Sequence, residues 1–184
     1  FGAMADVLML DLRQDQRDGF LSDHYVTGNV PEYDNPDRRI MSAAQMDWLL
    51  QGLESKASRW KIVGNQAMLG HWGGPGAPDL PAAIPQALGL RQNGNQLYVN
   101  GWNGYPADRQ RLYAGLQQRA VQNMIVLSGD AHFSFAMDLP PDPFNPLSYD
   151  PVTGRNSLGV EFVVPSVNSE AFPETFGYPP RTGS

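Results

Sequence analysis

A short apolar run that ends at a glycine constrains the fold of this chain more than any other feature. Residues 124–127 (Met-Ile-Val-Leu) have the composition of a buried strand. Ser128 and Gly129 follow directly, and a glycine allows the backbone to turn sharply. Asp130 and His132 come next, and in an extended segment two side chains at this spacing point the same way. The segment therefore predicts a buried strand that presents a carboxylate and an imidazole just beyond its end.

Strand and helix patterns alternate along the rest of the chain. Ser42 and Gln45 form a capping-box pattern, and the apolar residues that follow at helical spacing predict a helix over residues 42–55. Pro106 marks the start of a second predicted helix, which extends to about residue 121. Strands are predicted at residues 7–12, 61–69 with a break near Gly64, 124–127, 133–139 and 158–164, and loops at 13–39, 70–104 and 140–156. This order predicts a layered α/β fold.

The composition fits one globular domain and narrows its possible partners. The chain has 184 residues, of which 41% are hydrophobic, and this is enough to bury a sizeable core. A net charge of −6 argues against nucleic acid or an anionic membrane as the main partner, while leaving room for a local cationic pocket. The absence of cysteine excludes disulfides, thiol nucleophiles and cysteine-based metal sites within these residues.

The beginning of the chain is informative as well. No apolar run approaches the roughly 18–20 residues that span a bilayer, and no signal peptide is visible at residue 1. Instead a buried-strand pattern begins almost at once, at Asp6 and Val7. We therefore expect this chain to be a fragment of a longer protein.

Asp130 and His132 are the first candidates for chemistry. A carboxylate and an imidazole are the right ligand types for a catalytic metal, and open α/β sheets place their ligands at the ends of strands. The alternative is a solvated aspartate and a hydrogen-bonded histidine in an ordinary turn. The local pattern favours neither interpretation, because the Asp-x-His pattern is short.

Four other residues are candidates for binding substrate. Asn65 follows Gly64 and could reach a metal or a phosphate oxygen, although a β-bulge with internally satisfied amides is the alternative that the local sequence favours. Trp102 and Tyr105 precede a predicted helix N-terminus and could form a cleft wall, or they could anchor the loop onto the core. Arg109 could bind phosphate or form an ion pair on the surface.

Six segments, in the same order, resemble the alkaline phosphatase D (PhoD) family of calcineurin-like metallophosphoesterases. The similar segments are residues 6–13 (a strand ending in Leu-Asp-x-Arg), 45–49 (Gln-x-x-Trp-Leu), 60–66 (Trp-Lys-x-x-Gly-Asn-Gln), 102–106 (Trp-Asp-Gly-Tyr), 126–132 (Gly-Asp-x-His) and 159–167 (the strand and turn that follow). Asn103 departs from the pattern, because the family more often has aspartate there. The family's N-terminal half, with its Gly-Asp-x-x-Tyr and Asp-Asp-His-Glu motifs, is not found in these residues.

The resemblance implies a fold, a reaction and a set of partners. The implied fold is half of a four-layer α/β/β/α sandwich, with residues 1–184 as the C-terminal part of one catalytic domain and the missing N-terminal half as its partner. The implied activity is metal-dependent hydrolysis of small phosphoesters by an alkaline phosphatase or phosphodiesterase, with Fe(III) and Ca(II) as cofactors. Asp130 and His132 are then the catalytic metal ligands, and periplasmic or secreted localisation is implied.

Two interpretations from other classes stay open. The chain could be a non-catalytic fragment that serves binding or assembly, with an apolar face where the other half should pack. It could instead be a metal-free hydrolase that uses Asp130 and His132 as an acid/base pair. For the isolated chain we expect weak metal binding and little activity, because two ligands seldom hold a metal.

Overall fold

The computed structural model places five strands in one sheet, together with two helices. It describes residues 1–19, 25–26, 32–33, 35–71, 96–97, 99–132, 134–143, 145, 147–165 and 167. The elements are, in order, β1 (Ala5–Met9), β2 (Tyr25–Val26), α1 (Ala43–Glu54), β3 (Trp60–Asn65), β4 (Gln96–Leu97), a 3-10 turn (Trp102–Gly104), α2 (Pro106–Gln118), β5 (Met124–Ser128), β6 (Phe135–Asp138) and β7 (Val160–Val163). Among the described residues no helix is long and apolar enough to cross a membrane.

The strand order determines which parts of the chain meet. The sheet has the order β1-β3-β5-β7-β6, in which the first four strands are parallel and β6 runs antiparallel to β7. The short strands β2 and β4 pair with each other in a separate two-stranded sheet. Because β1, β3, β5 and β7 are parallel, the segments that follow them meet at one edge, which we call the carboxyl edge. This is the edge at which open α/β sheets bind ligands.

Helix α1 begins where the sequence predicts, and its first turn is tied to the segment after β1. The Ser42 hydroxyl caps the helix by accepting a hydrogen bond of 3.0 Å from the backbone N–H of Gln45. The Gln45 side chain does not close a capping box. It accepts from the Asp11 backbone N–H at 2.7 Å and donates to the Asp15 carboxylate at 2.5 Å. The start of α1 is thereby fixed to the carboxyl edge.

The core lies between the two helices and one face of the sheet. Leu49 and Leu53 of α1 and Leu116 of α2 are buried against it, as the helical spacing predicts. On the other face of the sheet, apolar side chains are 42–67% exposed at Val7, Met9, Leu127 and Phe162, and we call this the open face. One helical layer on one side of an apolar sheet confirms the predicted α/β architecture, and it is the arrangement expected of half a sandwich.

The structure also corrects parts of the sequence interpretation. The predicted break in the second strand is wrong, because Gly64 is paired with Met9 on one side and Leu127 on the other. A Cβ on Gly64 would lie 2.2 Å from the Met9 sulfur, so this glycine permits close packing between strands. The same strand ends at Asn65, earlier than predicted. The loops predicted at 13–39 and 70–104 contain β2 and β4, which at two residues each are too short to reveal themselves in the sequence.

Candidate functional site

The chain turns tightly after β5, and the turn is made by the two candidate ligands themselves. Asp130 and His132 both adopt left-handed backbone conformations, with φ angles of 70° and 57°. The Ala131 N–H donates to the Gly129 carbonyl at 2.9 Å. The segment is therefore not extended, and the prediction that the two side chains point the same way for that reason is wrong. Aspartate and histidine tolerate this conformation better than most residues, but it still costs about 1–2 kcal/mol each.

Asp130 is held from across the sheet by Arg13. A terminal guanidinium nitrogen of Arg13 donates to a carboxylate oxygen of Asp130 at 2.9 Å. About a third of each side chain is exposed, 34% for Arg13 and 31% for Asp130. Arg13 follows β1 and Asp130 follows β5, so the pair passes over the end of β3, which lies between those strands.

The backbone that carries Arg13 is fixed by hydrogen bonds on both sides. The Leu12 N–H donates to the Gln66 side-chain oxygen at 2.6 Å, and the Arg13 N–H donates to the Asp11 carboxylate at 2.9 Å. Arg17 donates to the Leu12 carbonyl at 3.0 Å. Three hydrogen bonds thereby restrain the backbone of this segment after β1.

Arg17 and Tyr105 pack against each other next to this segment. Arg17 donates to the Tyr105 hydroxyl at 2.9 Å and to the Asn100 carbonyl. Burial lowers the pKa of the Arg17 guanidinium, and the bond to Tyr105 opposes that shift. The guanidinium carbons of Arg17 and Arg38 lie 5.0 and 4.4 Å from the centre of the Tyr105 ring, within cation–π range. Tyr105 is therefore fully enclosed between two cations.

The Asn65 amide is engaged within the protein. Its nitrogen donates to the Ser128 hydroxyl at 2.9 Å and to the Ala67 carbonyl, and its oxygen accepts from the Trp102 indole N–H at 3.1 Å. Asn65, Ser128 and Trp102 are all buried. The amide therefore joins the ends of β3 and β5 to the 3-10 turn.

Glu161 anchors the same network from β7. Its carboxylate accepts hydrogen bonds from the backbone N–H groups of Leu69 at 2.8 Å and Gly70 at 2.7 Å, and from the Ser128 hydroxyl at 2.5 Å. The residue is completely buried. Burial raises the pKa of the Glu161 carboxyl, and these hydrogen bonds act in the opposite direction. A buried carboxylate with this many donors fixes the position of the chain just after β3.

The four residues predicted to bind substrate are all buried. Trp102 and Tyr105 have no exposed surface, and Asn65 is 6% exposed. Arg109 is buried and donates to the Asn103 side-chain oxygen at 2.5 Å, and burial lowers the pKa of its guanidinium. Asn65 is the last residue of β3, and Trp102 donates to it. Tyr105 and Arg109 are engaged elsewhere in the protein, and direct contact of any of the four with a substrate stays a prediction.

A cavity of about 580 Å³ lies apart from Asp130 and His132, neither of which lines it. His71, Tyr113 and Asp138 contribute to its wall. The pKa of His71 is lowered to about 3, chiefly by burial and secondarily by the charge of Arg109. The cavity therefore holds a histidine that resists protonation.

The donor set at the carboxyl edge suits a shared metal centre. Asp130 offers a hard oxygen ligand, which suits iron or calcium, and His132 offers an imidazole, which suits iron. Within the part of the chain that the structure describes, no group of three or more His, Cys, Asp or Glu residues could hold a metal ion. These two residues fit a metal as part of a larger ligand set.

Arg13 and Glu161 have roles in the structure that the sequence does not predict. Arg13 ends the Leu-Asp-x-Arg segment, and Glu161 is a charged residue within an apolar strand pattern. A charge in a buried strand is the signal that could have identified Glu161, because such a group must be paired. Nothing in the local sequence connects Arg13 with Asp130, which lies 117 positions away.

The chain matches known phosphatases in both sequence and structure. The PhoD-like phosphatase family model matches residues 1–182, and the chain belongs to that family. It is similar to alkaline phosphatase D of Bacillus subtilis (strain 168), with 29% identity over 173 residues, which cover 92% of this chain and 25% of that protein. A solved structure described as the structure of PhoD matches with a TM-score of 0.70 and 27% identity, over 91% of this chain and 28% of that one. The chain thus spans about a quarter of the length of these relatives, and the predicted family resemblance is confirmed.

Proposed function

We propose that the protein containing this chain is a metal-dependent phosphoric ester hydrolase, and that Asp130 and His132 contribute two ligands to its metal centre. The turn after β5 is the observation that carries this proposal. Both residues follow β5 and have left-handed backbone conformations, and strained backbone of this kind concentrates at functional sites. Membership of the PhoD-like phosphatase family supports hydrolysis of a phosphoester.

Fe(III) with Ca(II) is the metal pair we propose, and other divalent metals suit the same ligands. Bound cations would lower the pKa of an attacking water and neutralise charge on the phosphoryl oxygens. The role of this chain is to hold those cations and to position the groups around them. The hydrogen bonds from Trp102 to Asn65 and from Asn65 to Ser128 restrain the ends of β3 and β5. Glu161 adds a further bond to Ser128 from β7.

Asn65, Trp102, Tyr105 and Arg109 are kept as proposed contributors to substrate binding. Their burial supports an indirect contribution, in which they hold the carboxyl edge at a fixed spacing. To contact the phosphoester directly, their polar atoms would have to give up hydrogen bonds within the protein and form new ones with the substrate. A variant of Arg109 that changed KM while leaving the thermal midpoint unchanged would support direct contact.

The remaining ligands are proposed to come from an N-terminal half of the domain, with residues 1–184 as the C-terminal part. The open face supports this, because Met9 and Phe162 are exposed apolar side chains on a sheet face that would otherwise be in water. The relatives are three to four times as long as this chain, which leaves ample sequence for such a half. Periplasmic or secreted localisation is proposed from the family.

The test is substitution of the two ligands in the full-length protein. His132→Ala should lower phosphatase turnover by orders of magnitude and reduce the bound metal, and Asp130→Ala should do the same. Asp47→Ala is a suitable control, because Asp47 is an exposed carboxylate on α1. Unchanged turnover and metal content in His132→Ala would refute the proposal.

Measurements on the same full-length protein distinguish this proposal from a metal-free hydrolase and from a binding or assembly domain. Full turnover in the presence of a chelator would favour a metal-free acid/base reaction of Asp130 and His132. A full-length protein with neither metal nor turnover would favour binding or assembly. For the isolated 184-residue chain we expect weak metal binding and little activity, and tight stoichiometric iron would contradict that expectation.

A further inference from the structure

We propose that Arg13 is the phosphoryl-binding side chain of this site, an inference that rests on the function proposed above. Its guanidinium lies at the carboxyl edge and binds the carboxylate of a proposed metal ligand, Asp130, at 2.9 Å. A guanidinium presents five donors in a planar fork that matches the oxygens of carboxylate and phosphate alike. The Asp130 carboxylate therefore binds to guanidinium N–H donors that could also bind a phosphoryl oxygen.

The backbone of Arg13 is organised before any ligand arrives. Leu12 is bound through its N–H by Gln66 and through its carbonyl by Arg17, and the Arg13 N–H is bound by Asp11. The Arg13 side chain is nevertheless 34% exposed. A fixed attachment point with an accessible head is what a binding arm needs, because little ordering of the backbone is required on binding.

Arg17 differs from Arg13 in the use of its donors. Its Nε and both terminal nitrogens donate to protein oxygens, and the side chain is half-buried. Arg17 lies close enough to Arg13 and Asp130 for their charges to act on it. It therefore adds positive potential to the edge, while Arg13 is the arginine that can exchange one oxyanion for another.

Arg13 and a metal ion compete for Asp130. If Asp130 bound a cation, its ion pair with Arg13 would weaken, and the Arg13 guanidinium would become available to phosphoryl oxygens. Metal and phosphate binding are thereby coupled through one side chain, and the coupling acts in both directions. Removing Arg13 should strengthen metal binding in the absence of phosphate and weaken the binding of phosphate.

The experiment uses the full-length protein and three variants. Arg13→Ala removes the guanidinium, and Arg13→Lys keeps the charge without the planar fork. Arg119→Ala is the matched control, because Arg119 forms a comparable exposed ion pair with Glu54. That pair lies at the ends of α1 and α2 that lead into the amino ends of β3 and β5, away from the carboxyl edge.

Three quantities decide the outcome. In Arg13→Ala we expect inorganic phosphate to inhibit about ten- to a hundredfold more weakly, since a hydrogen bond to a charged group is lost. Metal affinity, measured by equilibrium dialysis without phosphate, should rise by up to about fivefold, the range of an exposed ion pair. KM should rise, and Arg13→Lys should restore part of the phosphate binding, while Arg119→Ala should match the unsubstituted protein in all three.

Two results would overturn the proposal. The first is a phosphate inhibition constant in Arg13→Ala within twofold of the unsubstituted protein. The second is a decrease in both metal affinity and thermal stability in that variant, which would mean that Arg13 has a structural role. Either result would be obtained by comparison with an unsubstituted protein that hydrolyses phosphoesters. Neither would therefore contradict the proposed function. Absence of hydrolysis in the unsubstituted protein would refute that function, and with it this inference.

Discussion

Substitution of Glu161 tests whether the buried network positions the segment after β3. The carboxylate is fully buried and accepts from two backbone N–H groups, of Leu69 and Gly70, and from the Ser128 hydroxyl. Glu161→Gln keeps the size of the side chain but replaces one acceptor oxygen with a donor. Glu161→Ala removes all three acceptor contacts. The two variants therefore perturb the same contacts by different amounts.

The magnitudes follow from the number of donors left without an acceptor. In Glu161→Gln, whichever way the amide turns, its NH₂ group faces a donor, and an unsatisfied buried donor costs about 1–3 kcal/mol. Relief of the buried charge offsets part of this loss, so we expect a loss of about 1–2 kcal/mol in the free energy of unfolding. Glu161→Ala leaves three donors unsatisfied, and we expect a loss of about 3–5 kcal/mol.

Urea denaturation and amide hydrogen exchange measure this prediction together. The urea midpoint should fall with an unchanged slope, and protection of the Leu69 and Gly70 amides should fall more than that of residues in β1. Glu54→Gln is the control, because Glu54 is half exposed, and its substitution should change stability by less than about 0.5 kcal/mol. Equal stability of Glu161→Gln and the unsubstituted protein, or equal losses in both Glu161 variants, would refute the reasoning.

Two further substitutions and one pH dependence follow from the structure. A Cβ on Gly104 would lie 1.8 Å from the Val99 carbonyl oxygen, so the backbone must shift, and Gly104→Ala should lower the free energy of unfolding by more than about 2 kcal/mol. Gly129→Ala, where a Cβ meets nothing within 4 Å, should cost less than about 1 kcal/mol, and similar losses in both would contradict the packing argument. Since the pKa of His71 is about 3 in the folded protein, against 6.5 for an unperturbed histidine, stability should fall as pH falls from about 6.5 towards 3, by up to about 1.4 kcal/mol per pH unit. His71→Phe should remove that slope in urea titrations across this range, and an unchanged slope would assign it to other groups.

Local patterns were sufficient wherever the structure depends on neighbours in sequence. Helix α1 follows the prediction within a residue at each end, because Ser42 caps it and its apolar residues recur with the helical period. β5 was equally clear as an apolar run. The type of each candidate ligand at residues 130 and 132 is also a property of the sequence alone.

The main elements, the candidate ligands and the family can be predicted from the sequence, whereas the folded chain determines which side chains meet at the carboxyl edge. Arg13 reaches Asp130 because β1 and β5 are parallel and only one strand, β3, separates them. No local sequence pattern encodes this strand order. Glu161 finds its donors because β7 pairs with β5 and because the chain after β3 brings the Leu69 and Gly70 amides to its carboxylate. The left-handed turn at Asp130 is not indicated by the sequence either, since neither residue 130 nor residue 132 is a glycine. Contacts between residues far apart in sequence arise from packing, and packing is a property of the whole fold.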